Sequence, residues 1–200
     1  MEEEYQEALD VLTMVTIMDP EWKEPFERKE SIVSTLRDIS SMVSKKAGLK
    51  SKRIENYVAQ LKLAHDVTCS STELTKWTLK EVKEGRNLKS FIHLKIIGSV
   101  QHSKKVCLTA CCIDSNSDCV AVNIYNLGTE PKIGDTITIV DVDFKNMKVT
   151  TEDKKNPETK ETISFPSIRV ENPLLMFLNG RRLSPDSLAK PRVENVPRTT

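Results

Sequence analysis

The spacing of apolar residues changes near residue 66, and this change restricts the chain to a helical part followed by a β part. Before it, as over residues 5–18, apolar side chains recur every three or four positions, which is the period of one helix face. After it, as over residues 90–101, they fall on every second position, which is the period of a strand. We therefore predict an α+β chain with helices over 1–66 and a β domain over 67–180.

Three helices are predicted in the first part. The first ends at Asp19, because the residue before a proline is disfavoured in the α region. The second begins near Pro25 and is closed by Gly48, since proline suits a first helical turn and glycine suits the left-handed C-terminal cap. The third covers about 51–63, with Ser51 as its N-cap.

The β part is predicted to contain short strands joined by turns. In the strand over 90–101, His93 is expected to face solvent, and Gly98 interrupts the inward-facing row and predicts a bulge. Residues 114–117 are typical of a hairpin turn, and a further turn is predicted at Asn146.

Several short strands within about 110 residues favour a five-stranded Greek-key barrel of the oligonucleotide/oligosaccharide-binding type (OB fold) over a seven-stranded sandwich. The polar insertion at 151–161 is predicted to be a mobile loop. Residues 181–200 contain three prolines and few apolar residues, so we expect a disordered tail there.

No set of residues in the sequence has the spacing of a catalytic or metal site. The histidines are scattered, and the cysteines include no C-x-x-C pair, so we predict a protein that is not an enzyme and needs no cofactor or metal. If the hairpin turn is 114–117, Cys112 lies opposite Cys119 and a labile disulfide is conceivable, although buried reduced thiols are the favoured interpretation.

The composition bears on two classes of partner, nucleic acids and membranes. The net charge of +1 gives no overall attraction to nucleic acid or to membranes, and no apolar run approaches the roughly 20 residues that span a bilayer. The amino-terminal residues are acidic and lack a secretory signal, so we expect a nuclear and cytoplasmic protein with no small-molecule substrate.

Five cations within nine residues form the strongest candidate binding site in the sequence. They surround the helix–helix corner at Gly48 and could contact RNA phosphates or a nuclear import receptor, although a solvated turn is the more common explanation. A second candidate is Ser184, which follows two arginines and precedes a proline as in kinase substrates. The five cations, called here the basic corner, are Lys45, Lys46, Lys50, Lys52 and Arg53.

The first helix has the spacing of the second helix of a tetratricopeptide repeat. Ala8, Leu12 and Val15 match the small, large and medium positions, and Pro20 follows the helix. The first helix of that repeat is absent, because only four residues precede Tyr5, and a half repeat cannot bury its own apolar face. We therefore expect a fragment, isoform or truncated gene product of a longer solenoid, with residues 1–66 as the end of its tetratricopeptide array. A further possibility is an inert product, in which the half repeat leaves Leu9, Leu12 and Val15 exposed.

Several stretches of the chain together resemble the tetratricopeptide repeat protein 5 (Strap) family. The resemblance covers about residues 5–182, and its most specific stretch is SIRVENPLL. The stretches run from YQEAL (5–9) through DPEW (19–22), then IGD (133–135), SIRVENPLL (167–175) and LNG (178–180).

This resemblance implies an array of tetratricopeptide repeats followed by an OB-fold domain. It also implies a stress-responsive cofactor that scaffolds acetyltransferase coactivators in transcription. A cytoplasmic role is implied as well. In it the protein acts with ribosome-associated factors, recognises nascent tubulin at the ribosome and triggers the decay of tubulin messages. The repeats that form the family's peptide-binding groove are missing from this sequence, so the function of that groove is not carried over.

From the sequence we predict a non-enzymatic adaptor that acts through protein contacts. The alternative is a nucleic-acid-binding OB fold that uses the basic corner as its electrostatic entry. Single-strand binding needs exposed aromatic side chains in a positive groove. Exposure of Phe91 or Tyr125 beside lysines would therefore favour the alternative, and burial of both would favour the adaptor.

Overall fold

The computed structural model describes residues 2–64, 73–100, 107–152 and 160–190, and within these the chain folds into three α-helices and eight β-strands. This confirms the predicted α+β class. None of the described helices is long and apolar enough to cross a bilayer. The helices are α1 (Glu2–Met18), α2 (Lys23–Ser44) and α3 (Ser51–Lys62), and the strands are β1 (Thr75–Trp77), β2 (Gly85–Val100), β3 (Cys107–Ile113), β4 (Cys119–Tyr125), β5 (Thr136–Glu152), β6 (Lys160–Val170), β7 (Met176–Leu178) and β8 (Arg181–Arg182).

The strands form one mixed sheet in the order β1-β2-β3-β4-β6-β5-β7-β8. Because β2 also pairs with β5, the pairings of β2, β3, β4, β6 and β5 run in a closed cycle. Residues 85–95 of β2 pair with β5, and residues 95–100 pair with β3. The register shifts between Ile96 and Gly98, so the predicted bulge at Gly98 is confirmed, at the point where the strand leaves one neighbour for the other.

Alternate residues of the strands enter two different apolar cores, because successive side chains of a strand point to opposite faces. On β3, Ala110 and Cys112 point into the core inside the cycle, whereas Cys111 and Ile113 face the helices. Ala121 of β4 also belongs to the helix side. The outward face of β3 and β4 is therefore apolar and needs a cover.

Helix α2 supplies that cover, and α1 packs in turn against α2 and β5. Leu9 of α1 and Val33 and Leu36 of α2 are each only 2% exposed in the core between helices and sheet. Burying a side chain of this size contributes about 1.5–3 kcal/mol. The prediction that the tetratricopeptide-type face is left exposed is therefore wrong for Leu9, because α2 and β5 pack against that side of α1.

Two helix termini follow the sequence signals and one does not. Helix α1 ends at Met18, just before Asp19, and Pro25 lies in the first turn of α2, as predicted. The prediction of Ser51 as N-cap is wrong, because Lys50 has the extended cap conformation and Ser51 is already helical.

Two predictions about the strands are also wrong. Asn146 is not in a turn, because β5 continues through it and pairs it with Pro166. His93 does not face solvent: it is 5% exposed, its Nδ1 lies 2.7 Å from Thr138 Oγ1, and its ring packs edge-on against Phe91.

The predicted disordered tail is wrong for residues 181–190. These residues include β8, and Leu188 forms a bridge with Leu127. The Gly128 N–H donates to the Ser187 carbonyl oxygen at 2.8 Å, which ties the segment to the loop after β4. Residues 191–200, residues 153–159 of the insertion and the predicted boundary at residue 66 lie outside the described residues.

Candidate functional site: the basic corner and its groove

Helix α2 lies across the outward face of β3 and β4. It contacts both of these strands and also β2 and β6. Ile113 and Ala121 beneath it are 0% and 1% exposed, and the Cys111 thiol donates to the Met42 carbonyl oxygen with a sulfur–oxygen distance of 3.6 Å. The face of these two strands near the hairpin is thus occupied by the chain's own helix.

Polar contacts fix the helices in this position. Arg37 Nε and Nη2 both donate to Glu161 Oε2, at 2.9 and 2.8 Å. Gln6 of α1 donates to the Thr150 carbonyl oxygen at 3.2 Å and accepts from the Thr150 N–H at 2.9 Å. Helices α1 and α2 are therefore aligned with the backbone of β5 and with a side chain of β6.

The basic corner is built on a run of left-handed residues. The N–H of Lys45 donates to the Ser41 carbonyl oxygen and ends α2, and Lys46, Ala47 and Gly48 then have φ values of +49°, +51° and +68°. Only glycine adopts this region without a steric cost. The prediction of Gly48 as the C-cap of α2 is wrong, because α2 ends at Ser44 with Lys45 as its C-cap, and Gly48 ends the left-handed corner that leads into α3.

Gly98 allows this corner to approach β2 closely. A Cβ atom at Gly98 would lie 2.8 Å from Met42 Sδ and 3.1 Å from Ala47 Cβ. The bulge in β2 and the left-handed corner therefore fit each other in shape, which the sequence pattern alone does not reveal.

A groove of about 610 Å³ lies between the corner and β2. Its floor is apolar and includes Ile97, Val100 and the 54% exposed Ile133, and its rim carries Lys45 and Asp38. An apolar floor with charges at its rim is suited to a segment of another protein.

The structure separates the five cations of the basic corner instead of grouping them on one surface. Lys45 lies at the groove, and Lys50 and Lys52 are exposed. Arg53 is held by Tyr57, since its Nε donates to the Tyr57 hydroxyl at 3.0 Å and its guanidinium lies 5.4 Å from the ring centre. Lys46 faces the β3–β4 hairpin, where its charge acts on Cys119.

Two stretches that carry the family resemblance meet beside this groove. Asp135 Oδ1 accepts from Asn179 Nδ2 at 2.9 Å, and Asp135 Oδ2 accepts from the Lys132 N–H at 2.7 Å. Burial opposes ionisation of Asp135, but these two hydrogen bonds and the charges of Lys132 and Lys95 outweigh it and hold its pKa below the usual range. Asn179 Oδ1 also accepts from the Thr136 N–H, and the Asn179 N–H donates to the Thr136 carbonyl oxygen. These bonds join the start of β5 to the end of β7.

The aromatic residues of the β part do not form a stacking platform. Phe91 is 2% exposed, and Tyr125 is half-buried with the Arg169 guanidinium 5.0 Å from its ring centre. Thr109 and Ser167 bind Asn123 on the same outward side, at 2.7 and 3.0 Å. Beyond the end of α2 this face is therefore polar and linked by its own hydrogen bonds.

The predicted pairing of Cys112 with Cys119 is wrong. Cys112 pairs with Val120 and points into the inner core, and Cys119 pairs with Ile113. The register differs because the turn extends to Asp118, whose carbonyl oxygen accepts from the Asp114 N–H at 3.0 Å. Among the described residues no group of histidines, cysteines and carboxylates has the arrangement of a metal site.

The remaining predicted positions lie away from the groove. Ala8, Leu12 and Val15 are half-buried on α1, and Pro20 is exposed after it. Ser184 is exposed at the start of the turn Pro185–Ser187, so its phosphorylation stays a prediction.

The fold defines a class of protein in which a short helical segment is packed on a β domain with a five-strand cycle of pairings. Residues 73–192 match the family model described as the tetratricopeptide repeat protein 5 OB fold domain. The chain is 29% identical to tetratricopeptide repeat protein 5 of Homo sapiens and 27% identical to that of Bos taurus, each over 98% of this chain and 46% of the relative.

This chain belongs to the tetratricopeptide repeat protein 5 family, and the resemblance inferred from its sequence is confirmed. The match includes the OB-fold domain. The chain spans about half the length of the curated relatives it matches.

Proposed function

We propose that this chain is a non-enzymatic adaptor whose cycle of five strands is a Greek-key OB barrel used as a scaffold. OB barrels bind oligonucleotides on the face of their second and third strands. In this chain the second and third strands of the cycle are β3 and β4, and α2 covers Cys111, Ile113 and Ala121 on their outward side. The occupation of this face by the chain's own helix is the observation that carries the proposal.

The groove beside the basic corner is the surface we propose for protein contacts. Its apolar floor suits an apolar side chain of a partner, and Lys45 on the rim suits a neighbouring carboxylate. Following the family resemblance, we propose partners among acetyltransferase coactivator complexes and ribosome-associated factors. The corresponding roles are stress-responsive transcription and tubulin mRNA autoregulation, in the nucleus and the cytoplasm.

Quantitative affinity purification from cells tests the adaptor function. The wild-type chain is compared with the double variant Lys45→Glu, Ile133→Asp and with Lys148→Glu, which changes an exposed lysine on β5 away from the groove. We expect a set of proteins that survives nuclease treatment, is lost with the groove variant and is kept with Lys148→Glu. Identical protein sets for all three chains would contradict the use of the groove.

A second candidate function is RNA binding through the basic corner, and the exposure of Lys50 and Lys52 favours it. Phosphate contacts of lysines release counterions, so binding of this kind weakens steeply between about 50 and 200 mM salt. Titration of single-stranded RNA at both salt concentrations, with wild type and with all five cations neutralised, separates the two functions. Tight salt-sensitive binding that the variant loses would favour RNA binding, and equally weak binding by both chains is the result expected for an adaptor.

A further inference from the structure

Two thiols meet beneath the junction of α2 and the basic corner. The register pairs Cys111 with Ala121 and Ile113 with Cys119, so the two cysteines are diagonal neighbours on the same face of the β3–β4 hairpin. Both side chains lie in the apolar cluster between helices and sheet, where the Cys111 thiol donates to the Met42 carbonyl oxygen. Cys119 is half-buried, whereas Cys111 is 3% exposed.

The surroundings favour the thiolate on Cys119 and the thiol on Cys111. The neighbouring Cys111 side chain lowers the pKa of Cys119, and the charge of Lys46 lowers it further, against burial and the carboxylates of Asp114 and Asp118. The neighbouring Cys119 side chain and burial raise the pKa of Cys111. Burial also raises the pKa of Cys112, which lies on the opposite side of β3 in the inner core.

We propose that Cys119 is a modification site for hydrogen peroxide and that Cys111 is the thiol that resolves the oxidised form. A half-buried cysteine next to a lysine and a second thiol is the arrangement found in oxidant-sensitive cysteines. The pair lies under the helix that covers the barrel face, so its oxidation acts on the contact between Cys111 and Met42 of that helix.

Hydrogen peroxide is the oxidant, and the two thiols form a disulfide in two steps. The Cys119 thiolate sulfur attacks one peroxide oxygen, the O–O bond breaks, and the leaving hydroxide takes up a proton to give water and a sulfenic acid on Cys119. The Cys111 sulfur then attacks the Cys119 sulfur, the S–O bond breaks, and the hydroxide leaves as water with the Cys111 proton. Two thiols lose two electrons in total, and one peroxide becomes two waters.

The disulfide formed in this way is readily reduced. Diagonal positions on paired strands have Cα atoms about 7–8 Å apart, and a relaxed disulfide needs about 7 Å or less. Closing the bond therefore shifts the backbone of the hairpin and removes the hydrogen bond from Cys111 to the Met42 carbonyl oxygen. A strained disulfide has a higher reduction potential, so we expect reversal by cellular thiols.

Mass spectrometry of the full chain after mild peroxide treatment tests the proposal. Trypsin leaves Cys107, Cys111, Cys112 and Cys119 in one peptide, so cleavage before Asp114 and Asp118 is added to separate the strands. We expect a disulfide between Cys111 and Cys119 that a thiol reductant removes. In Cys111→Ser we expect a sulfenic acid trapped on Cys119, and in Cys112→Ser the wild-type disulfide.

A measurement on the wild type keeps the test independent of the folding of these variants. Alkylation by iodoacetamide at neutral pH is followed for each cysteine, and we expect Cys119 to react faster than Cys107, which is also half-buried. A disulfide that involves Cys112 or Cys107 instead, or equal alkylation rates for Cys107 and Cys119, would overturn the assignment.

Discussion

Asp135 and Asn179 are 44 residues apart in the chain, and their side chains are joined by a hydrogen bond of 2.9 Å. The bond connects the stretches IGD and LNG, which the sequence offers only as separate marks of a family. Their meeting joins two parts of the sheet, because Asp135 ends the loop before β5 and Asn179, at φ +51°, follows β7, which pairs with β5.

Replacing Asn179 by Ala removes this link and the hydrogen bond from the Thr136 N–H to Asn179 Oδ1, and keeps the backbone bond from the Asn179 N–H to Thr136. We expect a loss of about 1–2 kcal/mol in the free energy of unfolding, since each hydrogen bond contributes about 0.5–1.5 kcal/mol net. Urea denaturation at neutral pH measures the loss. A change within the error of the measurement would show that β7 is held by its strand pairing alone.

The lowered pKa of Asp135 makes part of the stability depend on pH. Because the folded pKa lies below the unfolded value, the ionised carboxylate stabilises the fold above its ordinary pKa of about 3.9. That contribution is lost as the pH falls through the folded pKa. We expect Asp135→Asn to be less stable than wild type at pH 7, and the difference to shrink below about pH 4. A difference that stays constant across this range would contradict the assignment.

Enlarging Gly98 should separate the basic corner from β2. In Gly98→Ala the new Cβ meets the flexible end of Met42 and the less movable Cβ of Ala47, so we expect a loss of about 1–3 kcal/mol. Adding Met42→Ala should not restore all of it, because Ala47 still obstructs the methyl group. Thermal unfolding of the single and double variants measures the coupling, and full additivity of the two effects would show that Met42 and Gly98 do not contact each other.

Gly128 holds the segment 183–190 in place. A Cβ atom there would lie 2.6 Å from the Leu188 carbonyl oxygen, which is backbone and cannot rotate away. We expect Gly128→Ala to raise amide hydrogen exchange at Ser187, Leu188 and Ala189 and to leave β3 and β4 unchanged. Unaltered exchange in that segment would mean that it is not anchored through Gly128.

The two sides of α1 should respond differently to substitution. Leu9→Ala removes a buried side chain, and we expect a loss of about 2–5 kcal/mol. Ile17→Lys changes a side chain that is 74% exposed, so we expect stability within about 0.5 kcal/mol of wild type. Sedimentation velocity should also show less self-association for Ile17→Lys, because it interrupts the exposed row of Val11, Met14, Ile17 and Met18. Destabilisation by Ile17→Lys as large as that by Leu9→Ala would contradict the packing described.

The helices, most strands and the bulge could be predicted because their signals are local. Only a few neighbouring residues are needed to recognise each of these signals. They are the proline that ends α1, the apolar stripe of α2 and the two-residue period of β2. Predictions failed where a side chain or a backbone group from elsewhere decides the outcome. The carboxylate of Asp114 accepts the N–H groups of Asn116 and Asp118, which lengthens the turn and shifts the register by one residue.

The candidate site could be predicted only in part. The run of cations could be recognised in the sequence. Which cation lines the groove, which binds Tyr57 and which acts on Cys119 depends on how α3 and the hairpin pack around the corner. Lys95 shows the same limit. It alternates with apolar residues as a solvent-facing lysine does, yet it is 7% exposed, with its Nζ 5.7 Å from the Tyr57 ring centre.

The most direct test of the central claim, that α2 occupies the outward face of β3 and β4, is an NMR titration of the ¹⁵N-labelled chain with a short single-stranded RNA at low salt. If α2 stays on this face, the amide signals of Cys111, Ile113 and Ala121 will not shift during the titration, even if those of Lys50 and Lys52 do. Saturable shifts of those three amides, together with shifts of Val33 and Leu36 on α2, would mean that the oligonucleotide displaces the helix, and would contradict the adaptor assignment.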